Sequence, residues 1–536
     1  SLLSYLTYTS TIYKQRRLIW YCISLVLYIF ALISKPIAVT LPVILLLIDI
    51  YPLKRTNLYL SKNLTVLLEK IPFFILSIAS GIITIMAQHS SGALLSLQET
   101  NLITRMLNAL VTLVFYMEKL IWPSELVPFY PFTGEVFNYR SVVSGIIVLA
   151  LSGVSLEMAR RGKPLWLIAW LYYIITLLPT LSIIQIGSHA AADRFTYLPR
   201  LSIFLLVGVG LSWLWVKAGL LKFKNMIRGL LLLSVFAVML LFSYITIQQI
   251  RIWQNSETLW RYVTNVFPKT SLLAHMNLGS VYIEKGKLDE GIAEFKQVIA
   301  INPKHVKAYN NLGVAYGRKD RLDEAISEYE KALAIDPNFA DAHINLGGAY
   351  GEKGLLDEAI AEFKQSLICD PNNAKAYYNL GAAYDKKGLL DDAVFGYKRA
   401  VAMNPYYAEA YHKLGLAFKA QGKLNDAIGS YREVIRLEPD NHEVYNELAW
   451  IYATSPQEAI RNGDEAVILA TRACELTGFK KSESLDTLAA AYAEQGKFDK
   501  AVEYQLRAIE LAPPQIGKDL QKRLQLYKLR RAYCAP

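Results

Sequence analysis

The chain has 536 residues, of which 53% are hydrophobic, and a formal charge of +11. It is too long for one ordinary domain, and the average hides two unlike halves. Residues 1–260 hold 21 Lys/Arg against 9 Asp/Glu, and the remainder holds 36 against 37. The excess positive charge therefore lies wholly in the apolar half. It sits in short clusters between apolar runs, with no basic stripe interleaved with aromatics, which argues against nucleic acid as a partner. Cys22, Cys369, Cys474 and Cys534 are far apart without C-x-x-C spacing, so neither a disulfide framework nor a zinc site is expected.

The chain opens at Ser1 inside an apolar stretch with no charged leader, as a fragment cut through a membrane span would. Runs long enough to cross a bilayer follow at about 18–34, 36–53, 71–88, 141–157, 165–187, 197–216 and 229–250. Four basic clusters punctuate them: Lys14/Arg16/Arg17, Lys54/Arg55/Lys62/Lys70, Arg160/Arg161/Lys163 and Lys217/Lys222/Lys224/Arg228. Basic loops favour the cytoplasmic face, and all four fall on one side only if 102–122 lies in the interface instead of spanning. Its Arg105, Glu118 and Lys119 fit an amphipathic surface helix better than a bilayer centre. The Lys35-Pro36 turn, the loops 89–140 and 188–196 and everything after the last span are then extracytoplasmic, in a periplasm or an endoplasmic-reticulum lumen.

Pro303, Pro337, Pro371, Pro405 and Pro439 recur every 34 residues. On the same period, Leu278/Gly279, Leu312/Gly313, Leu346/Gly347, Leu380/Gly381 and Leu414/Gly415 fall in one column. Tyr282, Tyr316, Tyr350, Tyr384 and Phe418 form a second, and Gly291, Ala325, Ala359, Ala393 and Ala427 a third. This period and pattern belong to the tetratricopeptide repeat, a helix pair that stacks into a solenoid. Later units are irregular, with about five extra residues around Thr454–Asn462 and a last unit from about 482 to Pro513. Residues 256–267 read as a half-repeat, and the tail with Lys518, Lys522, Arg523, Lys528, Arg530 and Arg531 as a polar capping helix. The expected fold is thus all-α: a multi-span membrane bundle over 1–255, a solenoid of about seven repeats over 256–513, and a cap over 514–536.

Ser-Lys-Pro-Ile-Ala-Val-Thr-Leu-Pro-Val-Ile-Leu-Leu-Leu-Ile-Asp-Ile-Tyr-Pro-Leu at 34–53 and Ala-Asp-Arg-Phe-Thr-Tyr-Leu-Pro at 192–199 resemble membrane proteins with C-terminal tetratricopeptide repeats. The eukaryotic members of that family are the transmembrane-and-tetratricopeptide O-mannosyltransferases. Leu-Glu-Lys-Ile-Pro-Phe-Phe at 68–74, Ala-Gln-His-Ser at 87–90, and Trp-Pro at 122–123 with Phe-Tyr-Pro-Phe at 129–132 follow the same order of landmarks. The segment 453–466 looks more like bacterial members. The resemblance implies a C-type glycosyltransferase bundle that passes a sugar from a polyprenyl or dolichyl phosphate carrier to an extracytoplasmic acceptor. It also implies a catalytic acidic residue in the first extracytoplasmic loop, which falls before Ser1, so the chain as it stands is expected to be inactive. No cofactor is implied beyond the lipid-linked donor; membrane lipid and a protein or peptide are the expected partners.

Lys35 can present an ammonium to the carrier phosphate or merely snorkel as an interfacial anchor. Arg194 can fork onto phosphate oxygens while Asp193 orients it or holds an acceptor hydroxyl; the alternative is a structural ion pair capping the next helix. His189 precedes Asp193 by four residues, which on a helix would share a face, but two ligands are too few for a metal. Asp49, near Lys54 and Arg55, reads as half of an interfacial ion pair. Asn277, Asn311, Asn345 and Asn379 form one column before Leu-Gly. Such amides can clamp an extended peptide, although the same column also serves the scaffold; Lys413 ends it. The leading reading is a polyprenyl-phosphate-dependent glycosyltransferase, and its rival is a membrane-anchored repeat scaffold without chemistry.

Overall fold

A computed structural model describes residues 1–56, 64–90, 102–131, 139–181, 189–192, 197–513 and 517–535. Among the described residues the chain is all-α apart from a small ribbon in which Tyr130–Pro131 pairs antiparallel with His189–Ala191. It divides into two units, Ser1–Val281 and Tyr282–Pro536.

Among the described residues of the first unit, five helices are long and apolar enough to cross a membrane: Gln15–Ser34, Leu64–Ala87, Tyr139–Arg160, Arg200–Ala218 and Lys224–Ile252. They turn large apolar side chains such as Phe30, Ile83, Leu149, Phe204 and Leu233 outward. Such a surface suits lipid, where a helix satisfies every backbone group internally. Among the described residues, the segments expected to span at 36–53 and 165–187 hold shorter apolar helices, Ile37–Ile50 and Leu165–Thr180; 182–187 fall outside the described residues. Proline explains both. Pro36 opens a 3-10 turn over Pro36–Thr40, ahead of a helix at Leu41–Ile50, and the Leu165–Leu177 helix tightens into 3-10 geometry at Leu178–Thr180 around Pro179.

In the second unit the helices run in pairs, among them Val306–Gly317 with Leu322–Ile335, Ala340–Glu352 with Leu356–Cys369, and Ala374–Lys386 with Leu390–Met403. The Leu-Gly column is explained by the ring across the pair. A Cβ on Gly313 would meet Tyr329 at 2.5 Å, on Gly347 Phe363 at 2.8 Å, on Gly381 Tyr397 at 2.9 Å and on Gly415 Tyr431 at 2.5 Å. Ala325, Ala359, Ala393 and Ala427 are fully buried at the same crossings. Lys319 reaches Asp289 at 2.5 Å and Lys353 reaches Asp323 at 2.5 Å, with Lys387 on Asp357 repeating the link one unit on. These pairs are half exposed, so each contributes under about 1 kcal/mol.

The turn within each pair needs one residue in the left-handed region. Gly286, Gly354, Gly388 and Gly422 supply it, with φ between 72° and 79°, and Asp320 occupies the same column with φ 59°. A side chain there strains the backbone. Asp320→Gly is therefore expected to stabilise the repeats by about 0.5–1 kcal/mol, read as a higher melting temperature.

His305 caps the Val306–Gly317 helix, its Nδ1 accepting the Ala308 N–H at 3.2 Å. Burial holds its pKa below the ordinary 6.5, and burial does the same at His412. The unfolded chain then binds more protons than the folded one below pH 6.5. The stability from these groups is complete above that pH and is lost as pH falls towards and through the folded values. Melting of the repeats is expected to drop between pH 7.5 and pH 5. His305→Asn, which caps without titrating, is expected to flatten that slope; an unchanged slope would assign the acid sensitivity elsewhere.

Candidate functional site

Lys35 lies exposed at the junction between the Lys14–Ser34 helix and the Pro36–Thr40 turn, its backbone N–H donating to Ala31 O at 2.9 Å. Asp193 and Arg194 fall outside the described residues, as does most of the loop before them. The residues immediately preceding them are firmly held. His189–Ala191 pairs with Tyr130–Pro131, and the buried Tyr116 hydroxyl both accepts from Ala192 N–H at 3.0 Å and donates to Ala192 O at 3.2 Å. His189 is thus in a strand, which removes the helical spacing that invited a metal reading. Tyr173 donates to Leu113 O at 2.7 Å and fastens the same Leu102–Ile121 helix. Tyr116→Phe is expected to loosen the 189–192 segment, seen as faster amide exchange at Ala192, with the helical signal unchanged.

The Leu102–Ile121 helix is amphipathic as expected, but its inner face is mixed, burying Ala109, Leu113 and Tyr116 with several polar residues while Glu118 stays exposed. Arg105, Asn108, Thr112 and Lys119 are buried while Ile103, Met106 and Ile121 are exposed. Lys119 donates to Ser124 O at 2.6 Å and lies over the Phe115 and Tyr130 rings. Lys119 thus covers loop backbone, and part of the helix's apolar surface faces outward.

Asp49 also departs from expectation. It does pair with Arg55, at 3.1 Å, yet it is fully buried and not at an exposed interface. Lys70, equally buried, sits 2.7 Å from its other oxygen, and Tyr5 donates to it at 2.8 Å. Arg55 in turn forks onto Glu69 at 3.0 and 2.9 Å. A carboxylate at the end of so apolar a helix is tolerable in the interior only with this degree of pairing. The network joins two sequence landmarks, 34–53 and 68–74. Because its charges are mutually satisfied, its chemistry is that of a clamp. Lys70 carried no signal that it would meet Asp49, since it lies in the turn before the Ile71–Ser90 helix, 21 residues further on.

In the second unit, three successive repeats line a cavity of about 560 Å³, their first helices together with Tyr329 and Phe363 of the second ones. Asn345 and Asn379 of the asparagine column face it, together with Arg318, Glu352, Lys375 and Lys386. Asn345 Nδ2 donates to Asn310 Oδ1 at 2.9 Å, and Asn310 Nδ2 to Asn311 Oδ1 at 3.4 Å, so part of the amide capacity is spent within the ladder. Asn277 is half-buried on the Leu272–Glu284 helix, in the first unit. Arg318, Lys375 and Lys386 were missed from sequence, since surface cations of a solenoid look alike until the curvature is known.

Family models of the tetratricopeptide repeat match residues 279–320, 318–354, 349–388, 374–407, 415–455 and 482–514. The repeats support protein or peptide binding. Protein O-mannosyl-transferase TMTC1 of Mus musculus is 25% identical over 265 residues, which are 48% of this chain and 27% of that protein. Protein O-mannosyl-transferase Tmtc2 of Drosophila melanogaster is 27% identical over 154 residues, 29% of this chain and 15% of that protein. The chain thus spans about a quarter or less of the length of these relatives. Among solved structures, the MamA protein is 26% identical, covering 32% of this chain and 94% of its own with a TM-score of 0.29. A Pseudomonas aeruginosa PilF structure is 17% identical, covering 47% and 97% with a TM-score of 0.33. The apolar helices and these relatives make the protein membrane-associated. With repeats in one half and apolar helices in the other, the chain is similar to transmembrane-and-tetratricopeptide-repeat proteins of the TMTC type.

Proposed function

We propose that the protein transfers a sugar from a polyprenyl or dolichyl phosphate carrier to an extracytoplasmic acceptor, which its repeats recruit. The observation that carries this reading is the similarity to protein O-mannosyl-transferases over 48% of the chain, which makes mannose the first sugar to test. In this reading residues 1–255 form the membrane domain, 256–513 the solenoid of about seven repeats, and 514–536 its cap. Lys35 and Arg194 hold the carrier phosphate, and Asp193 orients Arg194 or the acceptor hydroxyl. The acceptor oxygen attacks the anomeric carbon as the carbon–oxygen bond to phosphate breaks. The phosphate leaves with the electron pair, and the acceptor proton passes to the acidic base that the family resemblance implies. Lys35 and Arg194 stabilise the charge growing on the phosphate, which a neutral side chain cannot do. The grip on residues 189–192 supports this assignment, since a phosphate-binding arginine needs a fixed backbone beside it.

Asn277, Asn311, Asn345 and Asn379 are read as the peptide-holding column. All four basic clusters lie on the cytoplasmic side when Pro36–Ile50 and Leu165–Thr180 count as crossings and Leu102–Ile121 does not, which puts the repeats on the opposite face. A compartment-sensitive reporter fused after Pro536 is expected to signal outside the cytoplasm; a cytoplasmic signal overturns this topology. In the native membrane protein, Lys35→Ala and Arg194→Ala are each expected to abolish most sugar transfer while membrane insertion is preserved. Transfer at the parental rate by both variants leaves the scaffold reading in its place.

A further inference from the structure

The cavity between the repeats carries information beyond its asparagines. Its lining includes Gly317, Gly348 and Gly351; Gly348 lies inside the Ala340–Glu352 helix, where glycine weakens the helix relative to alanine, while Gly317 and Gly351 stand at and beside the last residue of their helices. Packing does not call for them. A Cβ on Gly317 or Gly348 meets nothing, and one on Gly351 only touches the Ala359 Cβ at 3.9 Å, in contrast to Gly313, Gly347 and Gly381, which abut rings. The solenoid accepts side chains at the equivalent places, with Val314, Ala382 and Leu416 in the column of Gly348. Gly348 therefore keeps this part of the cavity lining open without serving the scaffold.

Charge on the walls is equally uneven. Arg318, Lys375 and Lys386 face the cavity against a single acid, Glu352, although the chain after residue 260 is balanced at 36 cations to 37 anions. Lys319, Lys353 and Lys387, outside the cavity, are each tied to an aspartate of the preceding repeat. Lys375 and Lys386 are exposed and form no ion pair or side-chain hydrogen bond among the described residues. Arg318 donates one nitrogen to Ile283 O at 3.2 Å, which leaves the rest of its fork towards the cavity.

We propose that this groove selects an extended acidic peptide segment. Its backbone would lie over Gly348, hydrogen-bonded by Asn345 and Asn379, and its carboxylates would meet Arg318, Lys375 and Lys386. The inference rests on the reading of the repeats as a peptide-binding solenoid. An extended backbone fits because its polar groups repeat along its length and match side-chain amides on successive repeats. Carboxylates fit because cations without partners on a concave wall attract and orient them.

The test is fluorescence anisotropy of the full chain in nanodiscs with labelled (Ala-Asp)4, (Ala-Asn)4 and (Ala-Lys)4 peptides. The acidic peptide is expected to bind roughly tenfold or more tighter than the neutral one, the discrimination equivalent to one charge-assisted contact, and to weaken as salt rises. Lys375→Glu with Lys386→Glu is expected to remove that preference. Gly348→Leu, a side chain that the equivalent column already carries at Leu416, is expected to weaken binding by about tenfold while the melting temperature stays level or rises, a pairing of signs that a structural glycine cannot give. Equal binding of acidic and neutral peptides, or an acidic preference that survives the double charge reversal, overturns the acidic selectivity and leaves peptide binding intact. Failure of all three peptides to bind overturns the peptide-groove reading itself.

Discussion

Lys70→Met is expected to lower the stability of the membrane unit by about 3–5 kcal/mol, because it strands the buried Asp49 carboxylate with only Arg55 and Tyr5 to hold it. The cost comes from the charge left behind and exceeds the value of the pair itself. The double variant Lys70→Met with Asp49→Leu is expected to recover most of the loss, since a buried ion pair replaced on both sides by apolar groups is often neutral. Arg55 keeps its fork onto Glu69 throughout. Apparent melting of the four forms of this cycle in detergent checks the claim. A double variant that is as unstable as the single one would mean that the network contributes by its own net attraction.

The second large effect is expected at the end of the solenoid. The last helix, Gly517–Lys528, buries Leu520, Leu524 and Tyr527. It is fixed by Arg523, which forks onto the buried Asp486 at 2.9 and 2.8 Å while Gln505 donates to the same carboxylate at 2.9 Å. Burial raises the Asp486 pKa and the guanidinium opposes that rise. Asp486→Ala is expected to cost about 3–5 kcal/mol, as it leaves a half-buried guanidinium without its acceptor and the Gln505 amide with Leu520 O alone. The Arg523→Met change should cost less, because Asp486 then keeps Gln505 and can take up a proton. Urea unfolding of the two variants tests the order. The reverse ranking would place the stabilisation in the arginine's packing over Trp450 and Tyr533.

The repeat half was legible because its physics is periodic. Each unit must bury the same face on its neighbour, so Leu312/Gly313 and its equivalents recur at a fixed interval. The turn column was present at the same interval but is broken by Asp320, which hides it from a search for glycine alone. Gly396 gave no warning either: a Cβ there would meet the Gly381 Cα at 2.7 Å, a backbone-on-backbone approach that only the folded pair reveals. In the membrane half, hydropathy marked the apolar runs but not the partners of their few charges. Asp49 was read against Arg55, its neighbour in sequence, and Lys70 came from the turn before another helix. Tyr116 looked like one more aromatic in an apolar run. Its hydroxyl closes on Ala192, 76 residues away, a distance at which no local pattern operates.

Lys35 and Arg194 are expected to hold a lipid-linked phosphate together. The direct measurement is binding of polyprenyl phosphate to the purified protein in nanodiscs of neutral lipid, with the same polyprenol lacking phosphate as the control. The phosphate form is expected to bind with clear preference over the alcohol. Lys35→Ala with Arg194→Ala is expected to reduce that affinity by a hundredfold or so, about 1.4 kcal/mol for each factor of ten. Equal binding of phosphate and alcohol, or an affinity unchanged in the double variant, would contradict it.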